Sequence, residues 1–128
     1  MRKLFLIIFI FTAVFAQNYE IKLFSQLFTV LFNKQPVYIY TENTKYKNID
    51  SNFLKYTDIC EKADLVLDKS HYCKNKPTFL LDYYDYVNDK NAIGAFYWRK
   101  GRPQLRLRRQ NLLKYNLNIS PEFKDYME

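Results

Sequence analysis

Residues able to do chemistry fall into three groups in this chain. His71 is the only histidine and stands two positions before Cys73, the other cysteine being Cys60. Two thiolates and one imidazole are one ligand short of a closed tetrahedral zinc site, and their spacing matches no common finger. Asp82 and Asp85 lie among Tyr83, Tyr84 and Tyr86. A carboxylate pair can divide acid and base work without histidine, as a small hydrolase would require, but the favoured reading is that the two acids simply solvate a loop. The third group is the densest: Arg99, Lys100, Arg102, Arg106, Arg108, Arg109 and Lys114, with no acid between Asp89 and Glu122. Guanidinium groups make forked hydrogen bonds to phosphate, carboxylate or sulfate, so the chemistry of this group is anion recognition.

The inventory argues against an enzyme. No serine stands in a nucleophile-elbow context, and with Gly94 and Gly101 as the only glycines a glycine-rich phosphate loop cannot be built. No cofactor or metal is expected, and the chain reads as a non-enzymatic binding module.

The N-terminus points to export. Met1-Arg2-Lys3 is a short positive region, and Leu4 to Phe15 is apolar apart from Thr12, which is signal-peptide grammar. Spanning a bilayer takes about 20 apolar residues, more than this run supplies. Val14-Phe15-Ala16 places cleavage after Ala16, so residues 1–16 are expected to be a signal peptide and 17–128 a single periplasmic domain. No cysteine follows the apolar run as a lipoprotein would require. In an exported chain an even cysteine count favours a Cys60–Cys73 disulfide over a metal site.

Charge is uneven. The whole chain has 20 basic and 13 acidic residues; loss of Arg2 and Lys3 leaves 18 basic ones, and setting aside the seven cations of residues 99–114 leaves a body of net −2. One basic element thus rides on a near-neutral body, and its partners should be acidic. Hydrophobic residues make up 48% and aromatic ones 19%, enough to fill a core and to exclude disorder.

Ile21, Phe24, Phe28 and Leu31 recur at helical spacing, widened by Leu23, Leu27 and Phe32, and predict an amphipathic helix over Glu20 to Asn33, stopped before Pro36. Val37 to Thr41, Ala63 to Asp68 and Thr78 to Asp82 read as strands. Asp50 or Ser51 could cap a short helix reaching about Cys60 and burying Phe53, Leu54 and Ile59, while Tyr83 to Asn91 is ambiguous, with a short turn of helix as one reading. Ile93 to Lys100 and Gln104 to Arg109 flank the turn Lys100-Gly101-Arg102-Pro103 as an antiparallel hairpin. Alternation places Leu105 and Leu107 on one face and Gln104, Arg106 and Arg108 on the other. If Phe96 and Trp98 face the core, Tyr97 shares the outward side with Arg99 and could stack on a base or sugar. Leu112, Leu113 and Tyr115 make a short helix closed by Asn116, and Ser120-Pro121 starts a last one using Phe123 and Met127. Asn118-Ile119-Ser120 matches a glycosylation sequon, but Ser120 already has that capping role. The expected fold is an α/β single compact domain, a mixed sheet with a C-terminal antiparallel hairpin and short terminal helices.

Ile93-Gly94, Gly101-Arg102, Leu105, Leu107, Leu112-Leu113, Asn116-Leu117 and Ile119-Ser120 together resemble the end of the YfiR-like family of bacterial periplasmic proteins. An opening helix closed by Pro36 and followed by the strand Val37 to Thr41 resembles its beginning. The chain departs from that family in being shorter, in carrying Arg108-Arg109 where an Asn-containing step is usual, and in ending Pro121-Glu122-Phe123 rather than Leu-rich. The resemblance implies a compact α/β fold, often disulfide-bonded and able to form a homodimer, and a role like that of a periplasmic repressor holding an inner-membrane diguanylate cyclase inactive.

The expected function is therefore a periplasmic binding and regulatory module that engages an acidic protein, such as the periplasmic domain of a membrane protein, through Tyr97, Arg99, Lys100, Arg102, Arg106, Arg108 and Arg109. Two alternatives remain: an envelope binder of nucleic acid or another polyanion, and a hydrolase acting through Asp82 and Asp85.

Overall fold

A computed structural model describes residues 19–128; the expected signal peptide and its cleavage after Ala16 lie outside the described residues. Helix α1, described over residues 19–32, buries Phe24, Leu27, Phe28 and Leu31. Those positions lie on one side of a 3.6-residue period. The helix ends where Asn33 takes a left-handed conformation with φ of 51°, which asparagine tolerates better than most residues.

Six short strands follow: β1 (Val37–Tyr40), β2 (Leu54–Tyr56), β3 (Leu65–Leu67), β4 (Thr78–Leu80), β5 (Gly94–Arg99) and β6 (Arg102–Leu107). They form one sheet in the order β2-β1-β3-β4-β5-β6. The first five run parallel to their neighbours, and β6 returns antiparallel to β5. This is the α/β class with a mixed sheet and a closing hairpin. Helices α2 (Tyr83–Asn88) and α3 (Arg109–Lys114) and a 3-10 helix at Pro121–Tyr126 complete the chain, the last capped by Ser120, whose side chain accepts from the Glu122 amide.

Val37, Ile39, Leu54, Leu65, Leu67, Phe79, Phe96 and Leu107 cover the face beneath α1. Phe24 and Phe28 meet Phe79 edge-on, with ring centroids 5.7 and 5.1 Å apart. The opposite face has a smaller cluster of Leu80, Tyr86, Ala92, Ala95 and Tyr97 under α2. Large aromatics close the main core because the strands are only three to six residues long.

Two local expectations are corrected. The helix expected from Asp50 or Ser51 to Cys60 is instead strand β2, followed by a 3-10 turn at Cys60–Lys62. Ser51 Oγ accepts from the Phe53 and Leu54 amides at 3.2 and 3.1 Å. Its capping capacity thus folds a tight turn, and Leu54 then pairs with Val37. Leu54 is buried as expected, whereas Phe53 and Ile59 are exposed. The hairpin turn is also tighter than expected. Lys100 and Gly101 both have positive φ, 52° and 76°, as a two-residue type I′ connection requires, so Arg102 and Pro103 already belong to β6.

Candidate functional site

Gly94 starts the hairpin because nothing larger fits. A Cβ there would stand 2.5 Å from the Arg106 carbonyl oxygen and 2.8 Å from Leu107. Since β5 is parallel to β4, the tip at Arg99 to Arg102 rises at the carboxyl end of the parallel strands, beside Leu81 and Asp82. That end is where open α/β sheets place ligand sites.

The seven hairpin residues meet different fates. Arg108, which precedes α3, turns inward: its guanidinium donates to the carbonyls of Tyr86 at 2.6 Å, of Ala92 at 3.5 Å and of Asp89, and lies 3.9 Å above the Tyr86 ring. It thereby ties the C-terminal end of α2 to the hairpin. Arg106 pairs with Glu128 at 3.1 Å, and Glu128 also accepts from the Tyr86 hydroxyl at 2.8 Å. Burial, reinforced by the hydrogen bond to Glu128, pushes the Tyr86 phenol well above its ordinary pKa. Arg99 lies 5.3 Å over the Tyr83 ring. Lys100, Arg102 and Arg109 are exposed and form no ion pair with another described residue.

Tyr97 does not offer the expected stacking surface. It does share a face with Arg99, but α2 covers that face, leaving Tyr97 7% exposed with its ring 5.5 Å from that of Tyr83. The open aromatics are Tyr84, Trp98 and Tyr83, at 72, 43 and 38% exposure. With Asp82 and Arg99 they border a cleft of about 320 Å³. Trp98 is exposed although its side chain is on the α1 face, because it lies at the end of the strand where the core thins out.

Asp82 caps α2, its carboxylate accepting from the Asp85 amide at 3.1 Å, while Asp85 stands 3.7 Å from Lys69. Cys60 and Cys73 form a disulfide. Among the described residues no group of three or more His, Cys, Asp or Glu side chains is placed to hold a metal ion, and no helix is long and apolar enough to cross a membrane.

Two carboxylates that the sequence did not single out fix the surroundings of the site. Glu20, 5% exposed, accepts from the Trp98 indole at 2.8 Å, from the Tyr46 hydroxyl at 2.5 Å and from Lys45 at 3.2 Å. It anchors the hairpin to α1, and burial followed by the Glu20 contact drives the Tyr46 phenol strongly upward. Glu42, just past β1, accepts from the Ser70 hydroxyl and from the amides of His71 and Tyr72. Burial pulls its pKa up, yet these hydrogen bonds prevail and hold it below the usual value. The only local sign of either role was an acid at the end of an apolar element.

Compared with protein-family models, with curated proteins and with solved structures, the chain matches none.

Proposed function

We propose that the protein is an exported, non-enzymatic binding and regulatory module whose hairpin tip engages an acidic partner protein. The observation that carries this reading is that Lys100 and Arg102, exposed and without an ion pair to another described residue, stand at the carboxyl end of the sheet near exposed Tyr83 and Tyr84 on the α2 side and Trp98 on the α1 side. Aromatic residues beside cations are the composition of interface hot spots. The disulfide suits an oxidising compartment, and with the resemblance to YfiR-like proteins it makes the periplasmic domain of an inner-membrane signalling protein the favoured partner class.

A competing explanation for the cations is that they guard a free sheet edge. Arg108 N–H donates to the Ile93 carbonyl at 2.9 Å. Antiparallel alternation then points the backbone groups of Pro103, Leu105 and Leu107 away from β5. Pro103 has no N–H, and Leu107 is bridged by Met127, with Glu128 N–H donating to its carbonyl at 2.7 Å. Among the described residues Leu105 alone on this edge keeps both an open N–H and an open carbonyl, so the edge is interrupted on either side without using the tip cations.

Capture from solubilised membranes tests the proposal. The parent protein should retain a membrane protein that a Lys100→Glu/Arg102→Glu variant releases. Equal capture by both would remove the tip from the argument. Retention of nucleic acid, with affinity falling steeply against log salt, would support the polyanion reading instead.

A further inference from the structure

A second cationic site lies away from the hairpin tip, on the sheet face opposite α1. Thr78 and Leu80 of β4 floor a cleft of about 310 Å³ that Lys69, Lys74, Lys76 and Lys114 line. Asp89 is the single acid in its lining, and one of its oxygens already accepts from the Asn91 amide at 3.0 Å. Lys69 is partly balanced by Asp85 at 3.7 Å, and Lys76 donates to the Glu61 carbonyl at 3.3 Å. Lys74 and Lys114 are exposed and have no ion pair to another described residue.

The walls are held in place independently of any ligand. The loop carrying Lys69, Lys74 and Lys76 is pinned by the Cys60–Cys73 disulfide and by Glu42 through Ser70, His71 and Tyr72. The facing wall is tied down by Asn111, whose side-chain amide donates to the carbonyls of Lys90 and Ala92 at 2.7 and 2.8 Å. Even with Lys69 directed to Asp85 and Lys76 to the Glu61 carbonyl, four lysine charges lining one concavity repel one another, and one partly engaged carboxylate in the lining does not neutralise them. A bound anion of high charge density relieves that repulsion. Ammonium groups on flexible stems suit phosphate oxygens, to which each brings three donors. The volume is at the lower end for ligand sites, which favours a small solute.

We propose that this lysine cleft binds a compact solute carrying two adjacent phosphates. Inorganic pyrophosphate, titrated into the purified protein and followed by amide chemical shifts, tests this. Saturable shifts are expected at residues 69–76, 89–91 and 114–115. A Lys74→Gln/Lys114→Gln variant should bind at least about tenfold more weakly, since it removes two of the four cations lining the cleft. Lys100→Gln/Arg102→Gln should leave pyrophosphate binding unchanged, so this site and the hairpin tip stand or fall separately. Absence of saturable shifts, shifts centred on residues 99–102, or unaltered affinity in the Lys74/Lys114 variant would overturn the proposal.

Discussion

Arg108 and Lys100 belong to one basic run and serve opposite ends. Arg108 spends its donors on three backbone carbonyls, so removing it leaves those carbonyls without their charged partner. Arg108→Ala should lower the unfolding free energy by about 2–3 kcal/mol, measured by urea denaturation. Arg108→Lys should recover only part, because an ammonium cannot reproduce the planar fork or its stacking on Tyr86. Lys100→Ala, in contrast, should stay within about 0.5 kcal/mol of the parent. Sequence alternation put Arg106 and Arg108 on the correct side, but it could not show that they were engaged. Their partners Glu128, Tyr86 and Asp89 are 19 to 22 residues away, and such pairings exist only after folding. The same holds for Glu20 and Trp98.

Two phenols make stability depend on alkaline pH. Tyr46 and Tyr86 are held above their ordinary value, mainly by burial, so the folded state favours their neutral forms. That contribution is complete below the unfolded-state pKa of about 10 and is lost as pH rises above it. The urea midpoint should therefore fall as pH is raised above about 10, and a Tyr46→Phe/Tyr86→Phe double variant should fall less steeply. Equal slopes would show that other groups set the alkaline limit.

At the scale of elements, the legible parts were those whose pattern is locally complete. Phe24, Leu27, Phe28 and Leu31 announce α1 by period, and the apolar runs at Leu65–Leu67 and Thr78–Leu80 announce buried strands. Strand β2 was illegible because Leu54, Lys55 and Tyr56 carry no strong alternation and Ser51 reads as a helix cap; parallel pairing with β1 decides the outcome. Gly94→Ala should force β5 and β6 apart, since its Cβ would strike the Arg106 carbonyl. A loss of about 1–3 kcal/mol is expected, read as a lower urea midpoint. Cys60 and Cys73 are 13 positions apart, and opening a loop of that size by Cys60→Ser/Cys73→Ser should lower stability by about 3 kcal/mol in the chain-entropy account. Because the disulfide also pins the loop bearing Lys69, Lys74 and Lys76, the pair should weaken pyrophosphate binding while leaving the hairpin tip intact. That loop carried a readable signal, three lysines with no acid between Asp68 and Asp82. The near-neutral sum over the body concealed it.

For the whole molecule, the sheet order has one consequence above the others. Four parallel neighbours lead to β5, whose carboxyl end lifts the basic turn beside the mouth of the aromatic cleft, and an antiparallel β6 with an interrupted edge closes the sheet. The thick core under α1 supports the hairpin through Glu20 and Trp98, and the thinner face under α2 holds Arg106 and Arg108 in structural roles. On the proposed reading recognition falls to the tip, and Tyr84 beside it is the most open of its aromatics. The most direct measurement is in-cell photo-crosslinking from a photoreactive residue at position 84. A discrete protein adduct in the parent that disappears in Lys100→Glu/Arg102→Glu is the expected result; no adduct, or one that persists in that variant, would contradict recognition through the tip.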